Sequence, residues 1–208
     1  MNKDEIKNGL ILGGGTVVAL LVIIFVFLFT KPQIDKTNQQ QLSEHLAELL
    51  TPGSYNNNPA IDSVMLSHPA LGSDHALPIY RAMQNDQPVA AVITAIAPDG
   101  YNGEINLLIG INVEGEVLAV RVTDHRETPG LGDDIDERKS NWIHSFDGLS
   151  AHLMQAKDWQ VKKDGGQFDQ FTGATITPRA VIQSVYKVAQ WYLNNQQSVY
   201  GQSGDTAK

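Results

Sequence analysis

At 208 residues the chain has room for one domain with a sizeable core and an added segment, but hardly for two independent globular domains. A formal charge of −8, with 15 scattered Lys and Arg, excludes a nucleic-acid binder, which needs clustered cations. The absence of cysteine excludes disulfides, thiolate clusters and cysteine catalysis, and six histidines without close ligand spacing give no metal signature.

Residues 1–8 form a short start that is expected to be cytoplasmic. From Asn8 to Thr30 no residue is charged, and Leu10 to Phe29 is almost wholly apolar. At about 1.5 Å per residue such a run crosses the ~30 Å hydrocarbon core, so residues 9–30 are expected to form one transmembrane helix. A cleaved signal peptide needs a shorter apolar core, about 7–15 residues, and a small-residue cleavage site. This run ends instead in Phe27-Leu28-Phe29-Thr30-Lys31-Pro32. Lys3 and Lys7 before it balance Lys31 and Lys36 after it, and the free amino terminus tips the count toward N-terminus inside.

Residues 31–58 read as a stalk helix and a linker. Leu42, Leu46, Leu49 and Leu50 recur at helical spacing, and Thr51 to Pro59 holds two prolines and three consecutive asparagines. Residues 59–208 read as the folded domain. Strand-like runs are Ile79 to Met83, Val89 to Ile96, Ile105 to Val113 and Val117 to Thr123. Glu114-Gly115-Glu116 joins the last two as a hairpin, and Asp99-Gly100 marks a turn. Asp134 to Phe146 is expected to be helical, as is Pro178 to Leu193, where Val181, Val185, Val188 and Tyr192 share one face. The fold class is α+β: an antiparallel sheet with packed helices, preceded by one transmembrane helix.

The chemistry lies in Asp169-Gln170-Phe171-Thr172-Gly173-Ala174-Thr175-Ile176-Thr177-Pro178-Arg179. The plain reading makes Thr177 an N-cap with Pro178 at the first helical position. That leaves Thr172 to Thr175 without a role. In the functional reading, Thr175 sits just outside a helix amino terminus, where unpaired N–H groups and the helix dipole favour an anion. Gly173 and Ala174 let another molecule approach the backbone closely. These arguments permit a phosphate site and do not name its owner.

The string Asp169 to Thr175 resembles the D-x-x-[ST]-G-A-T signal of FMN-binding domains. Gly100-Tyr101-Asn102-Gly103-Glu104-Ile105 and His125-Arg126-Glu127-Thr128-Pro129-Gly130-Leu131-Gly132 resemble the same family's upstream signature, in the family's order. With the anchor and the length, the chain is similar to the G subunits of the bacterial Rnf (Rsx) ion-translocating electron-transport complex. The resemblance implies FMN attached through its phosphate to Thr175, delivered from FAD by a separate Mg-dependent flavin transferase. It also implies a periplasmic domain held to the bacterial inner membrane, and partners among the other membrane subunits of the complex. The expected function is an electron relay in ferredoxin/NAD electron transfer or in reduction of a redox regulator.

The resemblance carries over Thr172, Gly173 and Ala174 beside the attachment site, and Asp169, which orients the hydroxyl or serves the transferase. It gives Glu127, Thr128, Gly130, Leu131 and Gly132 a place facing the flavin ring. Phe171 is a candidate for stacking, ahead of Trp142 and Trp159, which suit a core better. His125 has no nucleophile motif beside it and reads as structural or as a contact behind the site. No G-x-G-x-x-G follows a strand, so nicotinamide chemistry belongs to other chains. Two alternatives stand beside this reading. One is the related C subunit of the sodium-pumping quinone reductase. The other is a membrane-tethered flavin sensor, which the few residues before the apolar run disfavour.

Overall fold

A computed structural model describes residues 3–201. The chain divides into two compact units, Met1–Leu42 and Ser43–Lys208. Helix α1 (Lys3–Glu48) includes the apolar run, and its stretch Gly13–Lys31 is long and apolar enough to cross a membrane.

The second unit is built on a six-stranded antiparallel sheet. Its strands are β1 (Ser63–Leu66), β2 (Leu77–Gln84), β3 (Gln87–Gly100), β4 (Gly103–Asn112), β5 (Glu116–Asp124) and β6 (Leu149–Ser150), and their spatial order is their chain order. Three of the expected strand runs lie inside β2, β3 and β5, and the run Ile105 to Val113 overshoots the end of β4 by one residue. The β4–β5 hairpin turns at Gly115, whose φ of +83° is in the left-handed region that glycine tolerates. The expected turn at Asp99-Gly100 is displaced. Strand β3 runs on to Gly100, which pairs with Gly103, and Tyr101-Asn102 makes the turn.

Alternation sends one set of side chains from β3 and β4 toward helix α2 (Ile176–Tyr200). Ala91, Ile93, Ala95 and Ala97 of β3 and Ile105, Leu107, Ile109 and Ile111 of β4 join Val181, Val185, Val188 and Tyr192 in one core. The opposite face has small residues at Ala90, Gly110 and Ala119 beside the larger Val92 and Leu108. A Cβ at Gly110 would collide with the carbonyl of Leu49, so the end of α1 lies close on the sheet there. Leu46, Leu49 and Leu50 are buried. The expected domain start at residue 59 therefore marks no break in the fold. The expected linker is also tied down: Asn56 N–H donates to Met83 O at 2.9 Å, and Asn57 Nδ2 to Arg81 O at 2.9 Å.

Asp134 to Phe146 does not form the expected helix. Two short 3-10 turns, Asp133–Ile135 and Trp142–Phe146, flank a loop. Short polar side chains take the backbone groups a helix would use. Asp136 Oδ1 accepts from Arg138 N–H at 2.9 Å, Ser140 Oγ donates to Asp134 O at 2.7 Å, and Trp142 N–H donates to Ser140 Oγ at 3.1 Å.

Candidate cofactor-binding site

Helix α2 begins earlier than expected, at Ile176, with Thr175 in the flanking position at φ −91°, ψ −23°. Thr177 is therefore not the N-cap. It lies inside the first turn, fully buried, and its hydroxyl donates to Glu127 Oε2. The bond to a charged acceptor is stronger than one between neutral groups. Pro178, third in the helix, is still in the first turn, where no N–H is needed.

Ahead of the helix, Phe171 to Ala174 form a tight turn, closed by Ala174 N–H donating to Phe171 O at 3.3 Å. Gly173 holds its third position at φ +83°. The loop after β5 folds on itself, with Leu131 N–H and Gly132 N–H both donating to Thr128 O at 3.1 Å. Gly130 N–H donates to Asp133 Oδ1 at 2.6 Å. The β3–β4 turn joins this loop twice. Asn102 N–H donates to Glu127 Oε1 at 3.0 Å, and Asn102 Nδ2 to Thr128 Oγ1 at 3.0 Å.

The three segments enclose a cleft of about 220 Å³. Seven residues of the expected set line it: Glu127, Thr128, Leu131, Gly132, Gly173, Ala174 and Thr175. Three do not. Thr172 is exposed on the turn, Gly130 shapes the loop from outside, and the Asp169 carboxylate is bound to Lys162 Nζ at 2.6 Å. The cleft adds Tyr101, Ile176 and Thr177. Tyr101 and Ile176, with Leu131, leave large apolar surface in the open, at 66%, 48% and 45% exposed. Tyr101 stands in the quoted upstream motif, and an aromatic residue in a turn between two strands was the signal that could have placed it.

The aromatic candidates turn out differently. Phe171 is only 8% exposed and lies edge-on to Trp142 at 5.1 Å, while Trp159 is fully buried against Phe146 and Phe168. None of the three lines the cleft. His125 Nδ1 accepts from Glu127 N–H at 3.1 Å, a local structural contact.

The cleft meets the positive end of α2, whose first turn has no acidic residue. Arg179 nearby is engaged by Asp164, in contacts of 2.7 and 2.9 Å. That hydrogen-bonded guanidinium holds the Asp164 carboxyl below its usual range. A larger cleft of about 330 Å³, between Pro69, Pro98 and α2, shares only Ile176 with the first and contains none of the expected residues.

The lining of the smaller cleft suits a phosphate and an aromatic ring system on four counts. The Thr175 side chain makes no hydrogen bond within the described protein, and a helix amino terminus adjoins it. Gly173 and Ala174 leave the approach open, and apolar side chains at the rim suit an aromatic ring system.

Comparison with known proteins gives the family. Residues 100–190 match the family model of the FMN-binding domain, and residues 1–49 match that of the RnfG N-terminal region. The G subunit of the ion-translocating oxidoreductase complex of Pseudoalteromonas atlantica is 46% identical over 206 residues, covering 99% of this chain and 96% of that one. The G subunit of the complex of the same name from Shewanella baltica is 47% identical, covering 95% and 93%. That from Pseudomonas aeruginosa is 44% identical, covering 94% and 92%. The chain belongs to the family of G subunits of ion-translocating oxidoreductase complexes.

Proposed function

We propose that this chain is the electron-relay subunit of a membrane-bound ion-translocating oxidoreductase complex, with FMN held as a phosphate ester on Thr175 Oγ. The observation that carries the reading is the contrast among three neighbouring threonines. Thr177 is buried and engaged by Glu127, and Thr172 lies outside the cleft. Of the three threonines, only Thr175 both lines the cleft and has a hydroxyl without a hydrogen-bond partner among the described residues.

When bound, FMN supplies reversible one- and two-electron chemistry, and the chain supplies position and surroundings. Thr175 fixes the phosphate end, the α2 amino terminus faces the phosphate charge, and Tyr101, Leu131 and Ile176 offer apolar surface for the ring. At about 220 Å³ the cleft is smaller than the roughly 300 Å³ at which sites for drug-sized ligands begin. Part of the flavin therefore stays outside, which suits exchange of electrons with a neighbouring subunit rather than turnover of a small substrate.

The apolar helix Gly13–Lys31 supports anchoring in the bacterial inner membrane. The domain after it faces the periplasm, where a covalent ester prevents loss of the cofactor. The electrons run between ferredoxin and NAD through other subunits, or to a redox regulator, and a flavin transferase loads the site. The full-length similarity to relatives named as G subunits favours this assignment over the quinone-reductase subunit and the sensor.

Mass spectrometry of the full chain produced with the transferase is expected to find one FMN-phosphoryl adduct, mapped to Thr175 and absent from Thr175→Ala. An adduct that persists in that variant overturns the attachment site. A reporter fused to the carboxyl terminus is expected to be active only in the periplasm, and cytoplasmic activity overturns the orientation.

A further inference from the structure

Glu127 is 5% exposed, and among the described residues no Lys, Arg or His forms an ion pair with its carboxylate. Burial of a charge in this way is costly unless hydrogen bonds replace the lost water. Two donors serve it. Oε1 accepts from Asn102 N–H at 3.0 Å, and Oε2 accepts from the Thr177 hydroxyl.

Two glycines make the space. A Cβ at Gly100 would lie 3.0 Å from Oε1, and one at Gly132 would lie 2.8 Å from Oε2 and 2.9 Å from Thr177 Oγ1. The two distances at Gly132 are closer than real Cβ contacts, so any side chain there forces the carboxylate or the hydroxyl to move, whereas a Cβ at Gly100 would first meet the Gly103 carbonyl. One carboxylate thus ties together the β3–β4 turn, the 127–132 loop and the first turn of α2. Stability alone gives little reason for this choice, since apolar residues of the same volume generally hold a fold as well as a buried charge does.

The geometry of a helix supplies a reason. Thr175 flanks the helix and Thr177 is its second residue, so one residue of helical backbone joins them and a hold on one places the other. Holding Thr177 on Glu127 fixes the start of the helix against the 127–132 loop, and with it where the neighbouring Thr175 stands in the cleft that all three residues line. The same bond withdraws the competing Thr177 hydroxyl.

We infer that Glu127 is a positioning residue that selects Thr175 for flavin attachment; this rests on the reading that Thr175 is the attached residue. In the attachment step, Thr175 Oγ forms a new bond to the FMN phosphorus of FAD and the pyrophosphate bond breaks. AMP leaves with the bonding electrons, and the hydroxyl proton passes to a base of the transferase or to water. Glu127 takes no part in that bond making. It acts through Thr177, by fixing where the Thr175 oxygen stands.

The test follows adduct formation on the full-length chain with the transferase and FAD, by site-mapped mass spectrometry over time. Glu127→Gln and Thr177→Val are each expected to slow attachment at Thr175 tenfold or more, in line with the cost of misplacing a reacting atom by a fraction of an ångström. The double variant is expected to be no slower than the slower single variant, because both remove one bond. Thr177→Ser, which restores the hydroxyl, is expected to restore the rate. The core variant Val188→Ala, which loosens the fold away from the cleft, is expected to stay within twofold of the wild type. Wild-type rates in both single variants, additive losses in the double, failure of Thr177→Ser to recover, or an equal loss in Val188→Ala each overturn the role of Glu127. A wild-type chain without an adduct at Thr175 instead overturns the attachment reading, and that result is visible before any variant is made.

Discussion

At the scale of single residues, the site is organised around side chains that are missing as much as around those present. Gly130 and Gly132 stand two apart in one loop and are glycine for different reasons. Gly130 has φ +76° with open space around its missing Cβ, whereas Gly132 has no such φ and lies against Glu127 and Thr177. Alanine at Gly130 therefore meets backbone strain of about 1–2 kcal/mol. Alanine at Gly132 meets overpacking of about 1–3 kcal/mol and pushes apart the Glu127–Thr177 bond. Urea unfolding is expected to register both losses, but only Gly132→Ala is expected to slow FMN attachment as well. Equal attachment rates in the two variants would remove Gly132 from the arrangement around Glu127.

The same contrast marks what the sequence could disclose about the site. The small residues Gly173 and Ala174 were legible as a place of close approach, and the φ of +83° at Gly173 is one that glycine favours. The role of Thr177 was not legible. Its local context, before a proline and a helical run, fits an N-cap, and the residue that claims its hydroxyl lies fifty positions back at Glu127. Local pattern reads short-range competition well and says little about a partner brought in by the sheet.

At the scale of elements, β2 to β5 were legible because apolar and β-branched residues dominate both faces of a half-buried sheet. The edge strands β1 and β6 are four and two residues long, too short for a periodic signal. The 133–146 segment misled because its apolar spacing fits a helix while Asp136 and Ser140 divert the backbone. Helix α2 runs past its expected end through a kink at Asn195, where φ is −130°. Across that kink the hydroxyls of Tyr192 and Tyr200 meet at 2.8 Å.

That tyrosine pair makes a pH prediction. Burial raises the ionisation of Tyr192 far above the ordinary phenol, and burial raises Tyr200 to about 12. Both groups hold their protons more tightly in the folded chain than in the unfolded one. Their contribution is complete below the unfolded value of about 10 and is lost as the pH rises through it toward about 12. The urea midpoint of the wild type is expected to fall across that interval more steeply than that of a Tyr192→Phe, Tyr200→Phe double variant. Parallel slopes would show that the pair does not carry the alkaline limit.

At the scale of the whole molecule, the question is where the folded unit begins. Composition puts the boundary after the asparagine-rich stretch, because prolines and consecutive asparagines look like a linker. The packing puts it at Ser43. Leu46 and Leu49 are 1% exposed and Leu50 is 4% exposed, on a sheet face whose small side chains and Gly110 leave room for them. Full burial of one leucine contributes roughly 1.5–3 kcal/mol. Three together are comparable to the whole stability of an ordinary domain, about 5–15 kcal/mol. A fragment of residues 43–208 is therefore expected to unfold in urea as one cooperative transition. A fragment of residues 59–208 lacks these leucines and the Asn56 and Asn57 bonds to β2, and is expected to lose most of that stability and expose an apolar sheet face to aggregation. Equal midpoints for the two fragments would return residues 43–58 to the status of a connector. The expected difference makes them a structural part of the domain that carries Thr175.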